Sequence, residues 1–144
     1  MNPPPGYTLR PLILDDYEAV MALWHGTEGM GLGESDSRRS IAAFLERNPG
    51  LSRVIQGPEG SIVGALLCGH DGRRGYLHHL AVARPHRRQG LGALLVDACL
   101  ADLKVLGIPK CNLFLFAYNL PGRDFWLSEG WKTRDDLVVI QKTL

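Results

Sequence analysis

Two adjacent histidines, His78 and His79, lie in the run Tyr76-Leu77-His78-His79-Leu80-Ala81-Val82. An imidazole with an unperturbed pKa near ~6.5 can take a proton at neutral pH, which makes this pair the first candidate for general-base chemistry. A few residues on, Arg84-Pro85-His86-Arg87-Arg88-Gln89-Gly90-Leu91-Gly92 joins positive charge to two closely spaced glycines. Where such a loop enters a helix, the first-turn amides lack intrahelical partners and the helix dipole adds partial positive charge. The glycines let another molecule approach the backbone. The combination suits an anion, and a pyrophosphate is the natural guest. A basic surface loop with glycines for bending is the plainer alternative. No Gly-Lys-Ser/Thr follows, and the glycine spacing is not G-x-G-x-x-G, so neither a P-loop nor a dinucleotide fingerprint is present.

Other polar residues point less sharply. Glu34 and Asp36 could attract a cation, but capping and solvation explain them equally well. His70, Asp71, Arg73 and Arg74 form a compact polar turn. Cys68, Cys99 and Cys111 form no C-x-x-C pair, have no histidine at zinc-finger spacing and are odd in number. That predicts inert packing, no disulfide framework, no metal site and a reducing cytoplasm.

These residues need elements to hold them. Tyr7–Leu12 reads as a first strand, after a floppy start at residues 1–6. Asp15 or Asp16 caps a helix with Tyr17, Val20, Met21 and Trp24 at helical spacing. The stretch His25–Glu34 holds Gly26, Gly29, Gly31 and Gly33 and reads as a mobile loop. Ser35 or Asp36 then caps a second helix carrying Ile41, Phe44 and Leu45. Leu51–Gln56 and Ile62–Cys68 form an antiparallel hairpin around Gly57-Pro58-Glu59-Gly60. Tyr76–Val82 is the next strand; alternation puts Tyr76, His78 and Leu80 on one face and Leu77 and His79 on the other. Gly90–Leu106 is an amphipathic helix with Leu91, Leu94, Leu95, Ala98, Cys99, Leu103 and Leu106 on one stripe, stopped by Gly107 and Pro109. Asp97 and Asp102 fall on its outer face. Cys111–Ala117, apolar on both faces, reads as a central strand. Asn119 caps a short helix containing Phe125 and Trp126, and Trp131 opens a last strand pair over 131–143 with Val138, Val139 and Ile140. The order predicts an α/β (α+β) chain: a mixed, mostly antiparallel sheet of six to seven strands with about four helices. It is read as one domain, 1–144, with strands 76–82 and 111–117 parallel.

Arg87-x-x-Gly90-x-Gly92 between a strand and a leucine-rich helix resembles the acetyl-CoA signature of the GNAT (GCN5-related) N-acetyltransferase superfamily. Asn119…Phe125-Trp126-x-x-x-Gly130-Trp131 is similar to its second motif, Asn…Phe-Tyr-x-x-x-Gly-Phe. The resemblance covers at least residues 76–131. It implies the acyl-CoA N-acyltransferase fold, acetyl-CoA as co-substrate without a metal, and direct transfer to a primary amine of a small molecule or peptide. It implies that amides of Arg88, Gln89, Gly90, Leu91, Gly92 and Ala93 hold the pyrophosphate, where the loop's own Arg87 and Arg88 add positive charge. The strands would splay, with pantetheine pairing along Leu80, Ala81 and Val82 and the Leu80 amide polarising the acetyl carbonyl. Asn119 would contact the pantetheine arm; for Trp126, packing on that arm and a purely core role are both open. The strand at Tyr76 is also similar to that of arylalkylamine N-acetyltransferases, whose two catalytic histidines fall at Tyr76 and His78. That favours His78 as base, through water, with Tyr76 beside it. Trp126 departs from the usual tyrosine and offers no practical proton to a leaving thiolate. Tyr118 and Tyr76 are substitutes, and a non-catalytic acyl-CoA-binding or sensor module is the alternative reading. The acceptor would be lined by His25–Asp36 and His70–Gly75.

Sixteen Lys+Arg against 15 Asp+Glu, a net charge of +1, argues against nucleic acid as partner. No apolar run approaches the ~20 residues needed to cross a bilayer. The N-terminus has neither a basic nor an apolar leader region, which predicts a cytoplasmic protein. The strand pair at 131–143 would offer an edge for a homodimer.

Overall fold

The computed structural model describes residues 2–144; Met1, the first residue of the start expected to be floppy, lies outside the described residues. Within that start, the Tyr7 amide donates to the Pro4 carbonyl at 3.1 Å. The described residues form β1 (Thr8–Pro11), α1 (Tyr17–His25), α2 (Arg38–Arg47), β2 (Arg53–Gln56), β3 (Ile62–His70), β4 (Gly75–Val82), α3 (Leu91–Val105), β5 (Cys111–Leu113) and α4 (Leu120–Ser128). Single 3-10 turns lie at Leu14–Asp16, Glu34–Asp36 and Arg84–His86. The chain divides into two compact units, Met1–Phe114 and Leu115–Leu144.

In the first unit the five strands lie side by side in chain order. β1 to β4 are antiparallel neighbours, and β5 joins β4 in parallel. Short turns link β2 to β3 and β3 to β4, whereas β1 reaches β2 through α1 and α2 and the parallel step needs the α3 crossover. Apolar side chains alternate between the two faces of the sheet. On one side Leu12, Val20, Trp24, Ile41, Val54, Ala65, Leu67 and Ala81 form a buried cluster under α1 and α2. On the other, α3 presents Leu91, Leu94, Leu95, Val96, Cys99 and Leu103, all buried. Each large apolar side chain so enclosed contributes about 1.5–3 kcal/mol. Gly75 lets α3 pack close, because a Cβ there would lie 2.6 Å from the Leu103 side chain and force it to shift.

Several boundaries differ from the sequence reading. The cap of α2 is Ser37, whose Oγ accepts from the Ser40 amide at 3.1 Å, not Ser35 or Asp36. Asp36 instead closes its own 3-10 turn. On α3, Leu106 is 53% exposed and Val96 takes a buried place, and Asp102 pairs with Arg53 of β2. The expected central strand 111–117 is a three-residue edge strand. Phe114 is 63% exposed, and the chain turns where the Asn119 amide donates to the Phe116 carbonyl. The sheet has five strands rather than six or seven, because 131–144 forms none. There Arg134 and Asp136 close a short turn, and Val138, Val139 and Ile140 lie exposed without a ladder to satisfy their backbone. The edge expected to support a homodimer is absent with them.

Candidate active site

The centre of the site is an irregularity in β4. Leu67 faces His78 and Ala65 faces Ala81 across the β3–β4 ladder, so Leu66 alone stands opposite both His79 and Leu80. This extra residue makes a β-bulge, which re-aims side chains that a regular strand would alternate. His79 accommodates it with φ of 59°, a left-handed conformation that histidine adopts more readily than most non-glycine residues. The expected alternation therefore ends here. The His78 ring lies 6.1 Å from Phe44 of α2, and the His79 ring lies 4.9 Å from Trp24 of α1. Both histidines face the α1–α2 side.

Contacts from α1 and the following turn lock the bulge. Buried Trp24 donates its indole N–H to the His79 carbonyl at 2.9 Å. His79 Nε2 lies 2.8 Å from Asp36 Oδ1, and Asp36 Oδ2 accepts from the Gly33 amide at 3.0 Å. Tyr17 donates its hydroxyl to the Asp36 carbonyl at 2.7 Å. Asp36 is only 6% exposed, so His79 replaces the water its carboxylate has lost. His78, by contrast, has no side-chain hydrogen bond among the described residues. Burial, reinforced by neighbouring His79, pushes its pKa below the ordinary histidine value, against an upward pull from Asp36. Tyr76 stacks on His78 at 6.4 Å and on Phe114 at 6.2 Å.

The basic loop leads from β4 into α3. Gly90 has φ of 78°, and the first bond into the helix runs from the Leu94 amide to the Gly90 carbonyl. The amides of Leu91, Gly92 and Ala93 therefore precede the helical ladder. A Cβ placed on Gly90 meets nothing within 4 Å, so the approach to them is open. Arg88 is exposed, also left-handed at φ of 67°, and has no acidic partner among the described residues. These features fit a pyrophosphate.

The side chains of Arg87 and Gln89 are engaged within the protein. Arg87 Nε donates to the Val82 carbonyl at 2.7 Å, and its Nη1 to Glu28 Oε1 at 2.5 Å. Arg84 Nη2 donates to the other oxygen of Glu28 at 2.8 Å. Arg84 first, then Arg87, holds the Glu28 carboxyl down at about 2. Arg87 thus clamps its loop to β4 and to the α1–α2 connection, instead of presenting a free charge. Gln89 Nε2 donates to the Tyr7 hydroxyl at 3.0 Å and the His86 carbonyl at 3.2 Å, and the Tyr7 hydroxyl lies 2.8 Å from His86 Nδ1.

In the second unit Asn119 caps α4, its Oδ1 accepting from the Gly122 amide at 3.0 Å. Trp126 is 9% exposed, edge-to-face with Phe125 and Trp131, while Tyr118 is 74% exposed. In the first unit Cys68 and Cys99 are buried. A hydrogen bond with Cys68, then burial, raises the Cys99 thiol, and burial pushes Cys111 up to about 12. Neither Cys99 nor Cys111 presents a ready thiolate. Among the described residues no group of three or more His, Cys, Asp or Glu could hold a metal ion. Nor, among the described residues, is any helix long and apolar enough to cross a membrane.

A sequence model described as the Acetyltransferase (GNAT) family matches residues 17–131, and the chain belongs to that family. An acetyltransferase of Yersinia pestis (strain Pestoides F) is 31% identical over 125 residues, 87% of each chain. Acetyltransferase SG1711 of Sodalis glossinidius is 27% identical over 130 residues, 90% of each. The solved structure of PaiA N-acetyltransferase from Thermoplasma acidophilum, in complex with coenzyme A, superposes with a TM-score of 0.79 at 17% identity. That likeness covers 90% of this chain and 91% of that one. It is one of fold, an α/β architecture with a mixed sheet. The protein is an acetyltransferase of the GNAT family.

Proposed function

We propose that the chain moves the acetyl group of acetyl-CoA directly to a primary amine of a small molecule or peptide within a ternary complex. One observation carries the reading: the open, glycine-initiated N-terminus of α3, flanked by Arg88, is joined by a single basic loop to the bulged strand β4. Amides from Arg88 to Ala93 would hold the pyrophosphate through the geometry that suits anions at helix starts. When bound, acetyl-CoA supplies an activated thioester whose carbonyl carbon accepts the amine nitrogen. The parallel ladder between β4 and β5 ends at Leu77↔Leu113, leaving the rest of β4 beyond its reach. Leu80 lies in the bulge, and its amide is the assigned donor to the carbonyl oxygen as negative charge develops there. A primary alkylamine has a pKa near ~10.4, so at neutral pH a base must release its lone pair. The His78–His79 step of β4 supplies imidazole for that task. The bound coenzyme A of the PaiA enzyme supports the same ligand here, and free thiols at Cys68, Cys99 and Cys111 support a reducing, cytoplasmic setting.

Titration of acetyl-CoA by calorimetry, followed by thiol release across a panel of amines and peptides, tests the proposal. Binding in the micromolar range with amine-dependent release of coenzyme A is expected; absence of binding at tens of micromolar sinks it. A second reading, a non-catalytic acyl-CoA sensor, rests on Trp126. Its indole is enclosed and brings no hydroxyl to protonate a leaving thiolate. Tight binding with no coenzyme A release from any acceptor would favour the sensor.

A further inference from the structure

We infer that Asp36 and His79 form a proton-accepting pair, in which Asp36 fixes the imidazole tautomer and His79 Nδ1 takes the proton of the acceptor ammonium. The inference rests on the N-acetyltransferase reading and assigns its base to His79 rather than to the His78 that the resemblance favours. A carboxylate only accepts hydrogen bonds, so the contact between His79 Nε2 and Asp36 Oδ1 places the imidazole hydrogen on Nε2. The lone pair of a neutral ring is then on Nδ1. No partner engages Nδ1, and the one buried side-chain polar atom without a partner among the described residues is Arg53 Nε. His79 Nδ1 is therefore open to solvent. Asp36 is held in turn by the Gly33 amide, and its backbone by the Tyr17 hydroxyl. The His79 carbonyl is fixed by Trp24. A left-handed non-glycine residue costs of order 1–3 kcal/mol and persists only where its surroundings over-determine it, most often at functional sites.

His78 is the competing assignment. It has no carboxylate partner and sits against Phe44 and Tyr76, where burial disfavours its charged form. The titratable groups facing His79 are Asp36 from the 3-10 turn and His78 from β4, with Tyr17 of α1 behind Asp36. In the step itself, one ammonium proton passes to His79 Nδ1, directly or through one water. The freed nitrogen lone pair forms the C–N bond to the acetyl carbon, and the C–S bond breaks with its electrons staying on sulfur. The second excess proton on nitrogen goes to that thiolate, and His79 later returns its proton to water.

The decisive variant is Asp36→Asn, which keeps size and can still accept from the Gly33 amide. Its side-chain NH₂ turned toward Nε2 would reverse the tautomer and protonate Nδ1. Long-range ¹H–¹⁵N spectra of the labelled, ligand-free protein should show His79 hydrogen on Nε2 in the wild type and on Nδ1 in Asp36→Asn. With acetyl-CoA and phenethylamine, lysine or an alanine-starting tetrapeptide as acceptor, kcat/KM at pH 7 should fall about 10²–10⁴-fold in Asp36→Asn and His79→Gln. The loss should recover about tenfold per pH unit as the amine deprotonates by itself, while acetyl-CoA affinity by calorimetry holds. His78→Gln should shift kcat or KM without removing the acidic limb of the pH profile. An acidic limb that survives in Asp36→Asn, or a wild-type His79 with its hydrogen on Nδ1, overturns the pair while leaving the acetyltransferase standing. A wild type that binds no acetyl-CoA overturns the acetyltransferase reading and the pair's catalytic role with it.

Discussion

Arg10 meets Asp16 with both terminal guanidinium nitrogens, each at 2.8 Å, and the Ile13 amide adds a third bond at 3.0 Å. Asp16 is 8% exposed, so removing its charge leaves donors without an equal acceptor. The Arg10 hydrogen bonds above all hold its carboxyl below the usual range. A carboxyl depressed in the folded state stabilises above its unfolded pKa of ~3.9, and that contribution is lost as pH falls through the folded value. Asp16→Asn should therefore cost about 1–3 kcal/mol at pH 7, read from the urea midpoint, and the deficit should shrink toward pH 2. An equal deficit at both pH values contradicts the assignment. Asp16 was legible only as a cap, because its partner comes from β1 and pairing across a turn leaves no periodic trace. The same limit hid Asp36, which lies 43 positions from His79 and looked like any helix-capping acid. His79 itself was turned to the wrong face by strict alternation; a one-residue bulge has no composition signal when a histidine, not a glycine, takes the positive φ.

At the scale of elements, local signals were legible apart from the α2 cap, which lies at Ser37. The glycine at the start of α3, the Gly107 stop, the Asn119 cap and the β2–β3 hairpin are short-range chemistry within a few residues. What failed was end-of-chain pairing, since Trp131 to Leu144 has strand-like residues but no ladder to join. The clamp of Glu28 on Arg84 and Arg87 was also invisible, being a contact between two connections. It joins the α1–α2 connection to the loop that begins α3, beside a concavity of about 410 Å³ lined by Ala19, Leu23, Thr27, Ile62 and Ala83. Glu28 thereby neutralises cationic charge next to the proposed pyrophosphate site. Glu28→Gln should raise acetyl-CoA affinity about two- to five-fold at low salt, because exposed ion pairs are individually weak. The gain should vanish near 0.5 M salt, where screening removes it. A fall in affinity would instead make ordering of the loop the dominant role of Glu28, against the charge argument. Calorimetry at two salt concentrations separates these outcomes.

At the scale of the whole molecule, the net charge of +1 conceals a local arrangement: Arg88 has no acidic partner among the described residues, while Glu28 offsets part of the charge of Arg84 and Arg87. A protein without general basic excess draws its affinity for an anionic ligand from placed amides and a single cation, not from a diffuse field. Those amides belong to α3, whose buried stripe packs on β2, β3 and β4. Occupying the start of α3 should therefore stabilise the sheet behind it, because a ligand that binds only the folded state shifts unfolding by mass action. At a concentration about a hundred times its dissociation constant, acetyl-CoA adds about 2.7 kcal/mol. For a chain of this length each kcal/mol raises Tm by roughly 2–4 °C, which predicts an upward shift of about 5–10 °C. Pantetheine, which lacks the phosphates, should give little of this, and 3′,5′-ADP should give part. If pantetheine matches acetyl-CoA, the helix start contributes nothing, and the anion site must be struck from the proposed function.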